Sequence, residues 1–468
     1  MNSSKGKIRS LFRDVAEAIR GTDKDFTEVS MSKAILLLSI PMVLEMVMES
    51  VFAVADIFFV SKLGADAVAA VGITESVNTI VYAIAMGLGL ATTSMVSRRI
   101  GEKKPEEASK TAVQAILAAS VVSLAIGIPG AIFASDILRL MGASQNIVEN
   151  LSGYTAIILG GNIVVMLLFI INAVIRSSGD AAVAMRVLWI GNIINIILDP
   201  ILIFGWGPFP ELGITGAAIA TTIGRGVAVI YQLYILAKGH KRIVIAARHI
   251  VVDLKTMGKL VSLSLGGIGQ NLIATTSWVG LVRIISVFGS EAVAGYTIAI
   301  RIILFVLLPS WGVSNAASTL VGQNLGAKKP ERAEKAVWFT GKVNFILLGL
   351  VGLILVAFPE FFIKLFIDDP FVIKFGAEGL RIISYGFPAY GLGMVIINSF
   401  NGAGDTTTPL KINFLTFWII EIPLAYTLAI LIGMQQTGVF IAIVFAESLM
   451  TLIAWLIFRK GKWKLNEV

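Results

Sequence analysis

Residues 321–333 read VGQNLGAKKPERA, and residues 96–108 read VSRRIGEKKPEEA, a diverged copy of the same stretch. The two stretches are 225 residues apart, and the same offset relates matching residues along most of the chain. The matching pairs include Gly64 and Gly289, Gly87 and Gly312, Gly179-Asp180 and Gly404-Asp405, and Gly213 and Gly438. Because one offset holds from the first apolar segment to the last, we predict that the chain consists of two copies of one structural unit.

The composition is that of a membrane protein. Hydrophobic residues make up 56% of the chain and charged residues 15%, with a mean hydropathy of +0.85, whereas soluble proteins carry about 25% charged residues. A helix needs about 20 mostly apolar residues to cross a bilayer. Such runs lie near 33–60, 68–96, 110–133, 150–175, 182–205, 213–237, 258–287, 293–320, 334–358, 377–400, 407–431 and 437–459. We therefore predict an all-α polytopic membrane protein with twelve transmembrane helices in two pseudo-symmetric six-helix lobes.

The net charge of +8 follows a membrane topology. Lys and Arg cluster in alternate connections, for example at Lys103-Lys104, at Lys328-Lys329 and in the segment 238–259. By the positive-inside rule this distribution predicts that both termini are cytoplasmic, and it argues against nucleic acid as the reason for the basic balance. The predicted divisions are a cytoplasmic segment at 1–30 with an amphipathic helix at 5–20, an N-lobe at 31–237, a cytoplasmic connection at 238–259, a C-lobe at 260–459 and a tail at 460–468.

Several classes of protein are disfavoured by what the sequence lacks. The chain has no cysteine, which excludes disulfides and thiolate sites. Its two histidines, His240 and His249, both lie in the connection between the lobes, and no GxxxxGK[ST] loop is present. These observations argue against a membrane-embedded metalloenzyme and against an ATP-driven pump.

Three motifs carry a resemblance to a known family: the repeated stretch at 321–333, residues 54–64 (VADIFFVSKLG) and Leu198-Asp199-Pro200. Through them the chain resembles the MATE (multidrug and toxic compound extrusion) transporters over nearly its whole length, and more narrowly it is similar to the prokaryotic DinF-like branch. The resemblance implies a MATE-type antiporter that exports amphipathic, often cationic compounds against an inward flow of H⁺ or Na⁺. We expect no enzymatic activity and no cofactor, with H⁺ or Na⁺ serving as the coupling ion.

The resemblance also implies a site for the coupling ion. In the DinF-like branch an Asp of helix 1 and an Asn/Asp pair of helix 5 carry the coupling, and the matching residues are Asp56, Asn195 and Asp199. Thr221 and Tyr154 match further polar positions of the family. Na⁺ coupling would place the ion at Asp56, Asn195 and Asp199.

The residues themselves point to the same place. Counted from the predicted helix ends, Asp56 and Asp199 lie at similar depth, and Asn195 precedes Asp199 by one turn. A carboxylate within a span costs roughly 2.5–3.5 kcal/mol on insertion scales, so such residues are functional candidates. A purely structural hydrogen-bond network is the alternative.

Two departures from the family pattern affect these assignments. The NorM-like branch places acids on helices 7 and 10, but the predicted span 258–287 has no Asp or Glu, and the span 377–400 has only Glu378 at its edge. The DinF-like pattern often has Tyr one turn before the helix-1 Asp, where this chain has Phe52. The first departure argues against a coupling site of the NorM type, and the second leaves one polar partner of Asp56 open.

Further acids on the first span suggest a polar cavity. Glu45 and Glu49 share one helical face with Asp56, and such a stripe faces a wet cavity, a partner helix or a cation. Pairing with basic side chains is as good an interpretation as a path for a cationic substrate. The residues that we expect to line the substrate cavity are Glu45, Met46, Glu49, Phe52 and Asn172.

A second set of charges lies in the other half. Arg301, Glu421 and Glu447 fall at similar depth in their predicted spans. Because the unpaired burial of a charge of either sign is costly, we expect a C-lobe charge cluster with an ion pair between Arg301 and Glu421. A second site for a cation or for the substrate is the alternative.

Taken together, the sequence predicts a secondary active multidrug efflux antiporter that works by alternating access in the cell membrane. We expect its partners to be small amphipathic molecules and the lipid bilayer, with the protein acting as a monomer. The alternative is a flippase for lipids or lipid-linked oligosaccharides from the related superfamily, which would be expected to show cavity arginines for a pyrophosphate group.

Overall fold

Membrane-length helices make up most of the protein in the computed structural model, which describes residues 12–239 and 242–468. The spans are α1 (Met31–Ser61), α2 (Ala65–Gly101), α3 (Pro105–Ile132), α4 (Ser152–Ser177), α5 (Ala181–Phe204), α6 (Gly213–Lys238), α7 (Leu254–Ile285), α8 (Ser290–Gly326), α9 (Pro330–Ala357), α10 (Pro370–Tyr385 with Phe387–Gly402), α11 (Thr407–Leu431) and α12 (Gln435–Arg459). Among the described residues, eleven spans pass as single helices, and α10 is a pair bent by 57° that makes the twelfth. The predicted fold class is confirmed.

The two halves repeat each other helix by helix. α2 and α8 are both 37 residues long, and α3 and α9 are both 28 residues long. Gly64 and Gly289 precede α2 and α8 with φ of +99° and +101°, a region that glycine enters without a steric penalty. Lys103 and Lys328 take φ of 59° and 57° in the turns before α3 and α9. The duplication therefore extends to unusual backbone conformations.

Interruptions of the helices are also repeated. α4 is divided at Gly161 and α10 at Gly386, positions that differ by the same 225 residues.

In α11 the hydrogen-bonding pattern widens, because Phe414–Glu421 and Thr427–Leu431 are π-helical. π-Helical turns inside α-helices frequently occur at functional sites, and α11 contributes a carboxylate to the cavity described below.

The lobes meet mainly along three helix pairs, α1 with α8, α2 with α7 and α2 with α8. We call the side of the molecule that carries the start of α1 and the end of α12 the terminus side, and the opposite side the far side. At the terminus side, a Cβ atom on Gly101 would lie 2.0 Å from the Gln323 carbonyl oxygen, and one on Gly326 would lie 2.2 Å from the Arg98 carbonyl oxygen. Only glycine lets the two backbones approach so closely.

Hydrogen bonds between the lobes also lie on the terminus side. Gln323 Nε2 donates to the Ser177 carbonyl at 2.8 Å, and Ser94 Oγ donates to the Gly402 carbonyl at 3.5 Å. In the part of the chain that the structure describes, every hydrogen bond between the two lobes lies on the terminus side. The lobes are thus joined at one end.

Residues 21–30, which we call the N-terminal strap, cross the terminus side and contact both lobes. Arg242 donates from the connection that follows the N-lobe to the Lys24 carbonyl at 3.1 Å. Arg332 donates from the C-lobe to the Phe26 carbonyl at 3.0 Å, and the Phe26 ring is buried. The strap therefore reinforces the junction where the lobes already meet.

A helix over 12–20 precedes the strap. It covers the second part of the amphipathic helix predicted at 5–20, and the first part of that prediction lies outside the described residues. Glu17 forms ion pairs with Lys24 at 2.5 Å and with Lys33 of α1 at 2.8 Å. Hydrogen bonds from Lys24 and then Lys33 lower the pKa of Glu17 from its ordinary 4.5 to about 2. This helix is thus anchored to the first span.

The connection between the lobes is shorter than the segment 238–259 in which it was predicted. α7 begins at Leu254, because the Asp253 carboxylate accepts hydrogen bonds from the backbone N–H groups of Lys255 and Thr256 at 3.0 and 3.3 Å. Asp is a favoured residue at this capping position. Hydropathy alone assigned the polar first turn of α7 to the connection.

Candidate functional site

A cavity of about 560 Å³ lies between the lobes, beyond their terminus-side junction. This volume is in the range of sites for drug-sized molecules. Its charged lining residues are Glu45, Glu49, Arg176, Arg225, Glu421 and Glu447. Of the residues predicted to line a substrate cavity, Glu45, Met46, Glu49 and Asn172 do so, whereas Phe52 does not.

Glu45 is the centre of a buried polar network in the N-lobe wall. Its Oε1 accepts from Arg176 Nη1 at 2.6 Å and from Asn172 Nδ2 at 3.1 Å. Asn172 Oδ1 in turn accepts from Gln232 Nε2 at 2.6 Å. The structure therefore pairs Glu45 with a basic side chain, which is the alternative that the sequence left open.

Arg225 of α6 occupies the neighbouring part of the same wall. Its guanidinium donates to the Tyr82 hydroxyl at 3.1 Å and lies 5.3 Å from the centre of the Phe52 ring. Glu49 lines the cavity nearby and receives a long contact of 3.5 Å from Asn192 Nδ2. Phe52 stands where the resembling family often has a tyrosine. Its ring contacts the Arg225 guanidinium, and the side chain does not line the cavity.

A second polar cluster lies within the N-lobe, outside the cavity lining. Asn195 Nδ2 donates to Thr221 Oγ1 at 3.1 Å and approaches Asp199 Oδ1 at 3.4 Å. Asp199 and Asn195 are completely buried, and Asp199 Oδ2 and Asn195 Oδ1 have no hydrogen-bond partner. Three of the five residues predicted for ion coupling are therefore in contact.

The other two predicted coupling residues lie close to this cluster without joining its hydrogen bonds. Asp56 is half-buried, and its carboxylate is near enough to Asp199 for the two charges to interact. Tyr154 is buried in an apolar cluster with Val60 and Ile203, within electrostatic range of both acids. Among the described residues, neither side chain forms a hydrogen bond.

This cluster fits a small cation. Asn195 and Asp199 each have a buried oxygen atom without a hydrogen-bond partner. Leaving such an atom unsatisfied costs folding free energy. A hard cation such as Na⁺ prefers oxygen ligands, and a proton on Asp199 would turn an acceptor into a donor. Either ion would satisfy the site.

The C-lobe wall of the cavity contains the other two carboxylates. Glu421 Oε2 accepts a hydrogen bond from Ser277 Oγ of α7 at 2.8 Å, and Glu447 of α12 lines the same space. Both carboxylates lack an ion pair among the described residues.

The expected ion pair between Arg301 and Glu421 is wrong. Arg301 is exposed on the far-side half of α8, where its charge interacts with Glu75 of α2 instead. Similar depth in two helices does not set which helical face each residue occupies. The cluster therefore consists of Glu421 and Glu447 without the arginine.

Several contributors to the site were not assigned from the sequence. Arg176 lies one turn after Asn172 on the same helix, and that spacing could have placed it on the polar face. Tyr82, Ser277 and Tyr296 carry no charge and stand in apolar runs, so no signal in a single sequence separates them from packing residues.

Comparison with known proteins finds the same architecture elsewhere. The MatE family model matches residues 41–201 and 268–427, one segment in each half and together more than half of the chain. The FAD transporter of Shewanella oneidensis is 28% identical, with 84% of this chain and 87% of that protein aligned. The probable multidrug resistance protein NorM of Thermotoga maritima is 27% identical over 93% of this chain and 94% of its own length.

Solved structures agree with these matches. One is described as an outward-facing conformation of a multidrug resistance MATE family transporter of the MOP superfamily; it has a TM-score of 0.87, with 26% identity over 94% of this chain and 98% of the other. A MOP superfamily transporter from Pyrococcus furiosus, described as having a binding pocket of reverse polarity, matches with a TM-score of 0.87 and 25% identity over the same shares. With both halves matched and the helical repeat present, the chain belongs to the MatE family of multidrug efflux (MATE) transporters.

Proposed function

We propose that the protein exports small amphipathic molecules with a preference for cations, driven by an inward flow of H⁺ or Na⁺. The observation that carries the proposal is the cavity between the lobes, in which four carboxylates face two guanidinium groups. One of the guanidinium groups is neutralised by Glu45 at 2.6 Å. Three carboxylates, on Glu49, Glu421 and Glu447, then remain against the single guanidinium of Arg225. This excess of negative charge favours a positively charged substrate.

The conformation supports transport by alternating access. The lobes are joined on the terminus side, and the cavity lies beyond that junction. We place the termini in the cytoplasm, in keeping with the basic residues of the connections on that side, so this state is open to the outside. Export then requires a second state in which the terminus side parts and the far side closes.

The buried N-lobe cluster is our candidate for the coupling ion. Asp199, Asn195 and Thr221 are in contact, and Asp56 lies within electrostatic range. An ion can drive the cycle only if its affinity differs between the two states. Movement of α1 relative to α5 would change the distance between Asp56 and Asp199, and with it the affinity for H⁺ or Na⁺.

A flippase for lipid-linked oligosaccharides is less well supported. Recognition of a pyrophosphate needs arginines whose donors are free to reach it. In this cavity, Arg176 is bound to Glu45, and Arg225 is engaged by the Tyr82 hydroxyl and the Phe52 ring. Carboxylates also outnumber the two guanidinium groups in the cavity lining, which disfavours an anionic guest.

Transport by the purified protein in liposomes tests the proposal. A panel of cationic, neutral and anionic fluorescent dyes is followed while a pH gradient and a Na⁺ gradient are imposed separately. We expect cationic dyes to move against their own gradient with one of the two ion gradients. Dye movement that is unaffected by either gradient, or that is confined to anions, would overturn the proposal.

A further inference from the structure

Two carboxylates in the C-lobe wall are not used by the proposed ion coupling. Glu421 is buried with 2% exposure and is held by a hydrogen bond of 2.8 Å from Ser277 Oγ. Glu447 lines the same cavity from α12. The guanidinium groups that line the cavity, Arg176 and Arg225, both belong to the opposite lobe. Within the described residues, the protein therefore supplies no cation for this pair.

A third side chain in the same wall lacks a partner. Tyr296 of α8 is 2% exposed, and its hydroxyl is buried without a hydrogen bond. It lines the cavity and lies within electrostatic range of both Glu421 and Glu447. Its ring stacks on Phe440, with the ring planes 10° apart, which holds the hydroxyl in place. Leaving such a group unsatisfied costs about 1–3 kcal/mol, so the position favours a partner from outside the protein.

The surroundings select the kind of cation. Trp278, Tyr390 and Phe417 also line this part of the cavity. A strongly hydrated inorganic ion gains little from aromatic rings in place of water, whereas an organic cation is attracted to their faces and buries apolar surface against them. Carboxylates next to rings therefore suit a hydrophobic organic cation better than a metal ion.

We propose that Glu421, Glu447 and Tyr296 form the subsite that binds the charged centre of the exported molecule, a lipophilic ammonium or phosphonium with aromatic groups. This inference rests on the proposed export function and adds its recognition element. It separates the two tasks in space, because the coupling cluster lies in the N-lobe and this subsite in the C-lobe.

Binding of tetraphenylphosphonium to the full-length protein in detergent, measured by isothermal titration calorimetry, tests the subsite. Glu421→Gln and Glu447→Gln are each expected to weaken binding about tenfold or more, and Tyr296→Phe about threefold, since each removes one attraction to the cation. Binding of the uncharged triphenylphosphine oxide should be unchanged in all three variants. Glu360→Gln, at an exposed carboxylate outside the cavity, is the matched control.

A second measurement needs no substitution. Carbodiimide labels carboxyl groups in apolar surroundings, and mass spectrometry locates the labelled residues. Tetraphenylphosphonium is expected to protect Glu421 and Glu447 from labelling in the wild-type protein.

The outcomes separate this inference from the export function. Wild-type protein that binds and exports tetraphenylphosphonium, with undiminished affinity in both Glu variants or without protection from labelling, would overturn the subsite and leave export standing. Wild-type protein that neither binds nor exports any cationic probe would overturn both.

Discussion

Asp199 shows how a single buried residue can indicate function. It is fully enclosed, yet one of its oxygens has no hydrogen-bond partner, and the neighbouring Asn195 leaves its own oxygen free as well. A structural network would be expected to satisfy these atoms. The two unsatisfied oxygens lie beside a second acid, Asp56, and this arrangement is the basis of our proposal that the coupling ion binds here.

Neutralising Asp199 tests this interpretation. Asp199→Asn keeps the size of the side chain and most of its hydrogen bonding but cannot titrate or bring a negative charge to Na⁺. We expect a folded protein whose gradient-driven efflux in liposomes falls at least tenfold. Asp56→Asn should behave alike, and the double variant should be little worse than either, because the acids act as one coupled site.

The control for this experiment is Asp136→Asn, at an exposed residue that pairs with Arg139, which should retain full efflux. Undiminished efflux by well-folded Asp199→Asn protein would show that coupling lies elsewhere.

The ion pair of Glu45 and Arg176 gives a prediction for stability. Removal of one partner strands a buried charge, which costs about 3–5 kcal/mol, so Arg176→Met should clearly lower the melting temperature in detergent. A double-mutant cycle with Glu45→Gln should show coupling between the two sites. The pair Arg301→Ala and Glu421→Ala, which are not in contact, should instead be additive; coupling there and additivity at Glu45 would contradict the structure.

At the scale of residues, the sequence predicts which residues are functional candidates better than it predicts which residues are in contact. The family resemblance points to Asp199, Asn195 and Thr221, and the spacing of Asn195 and Asp199 adds that these two share one helix face. Arg301 could not be placed, since its partner depends on the rotation of α8 about its own axis. That rotation is set by packing between lobes, which a single sequence does not display.

At the scale of helices, hydropathy predicts the spans closely but misses their ends and interruptions. The predicted run 33–60 lies within Met31–Ser61, because about 20 apolar residues are an unmistakable signal. The start of α7 depends on one capping residue, Asp253, and the π-helical stretch Phe414–Glu421 has no pattern distinct from that of an α-helix. Such features arise from local hydrogen bonds that hydropathy does not record.

The helix over 12–20 provides a prediction for pH dependence. The pKa of Glu17 is about 2 in the folded protein, against an ordinary 4.5. Its ion pairs therefore stabilise the folded state fully above about pH 4.5, and this contribution is lost as the pH falls toward 2. Glu17→Gln should melt at a lower temperature than wild type at pH 7, and the difference should narrow below pH 4.5.

Glu28→Gln serves as the comparison, since Glu28 is largely exposed and 3.6 Å from Lys103. It should melt like wild type throughout. A difference for Glu17→Gln that is constant from pH 7 to pH 3 would refute the assigned pKa.

At the scale of the whole molecule, the duplicated halves are joined asymmetrically. Glycine contacts, interlobe hydrogen bonds and the N-terminal strap all lie on the terminus side. On the far side, Glu75 and Arg301 face each other across the gap with interacting charges but no ion pair. Two opposite charges poised in this way would be expected to close into contact in the opposite state.

Cross-linking tests this expectation, and the chain has no native cysteine that would also react with the reagent. In the Glu75→Cys/Arg301→Cys variant, a short bifunctional reagent should join the two residues only when the far side closes, and the product should no longer transport. Glu28→Cys/Lys103→Cys, at an exposed terminus-side contact of 3.6 Å, should cross-link readily in the described state. Far-side cross-linking that is rapid and leaves transport intact would argue against closure at this position.

The amount of water in the cavity between the lobes also changes during the transport cycle. At about 30 Å³ per molecule, a space of about 560 Å³ holds on the order of twenty waters. Closing the far side must expel this water. Osmolytes too large to enter the cavity should therefore draw the equilibrium away from the far-side-open state, while small ones that enter should not. Osmotic stress would then bias the direction of opening without any change to the protein or its ligands.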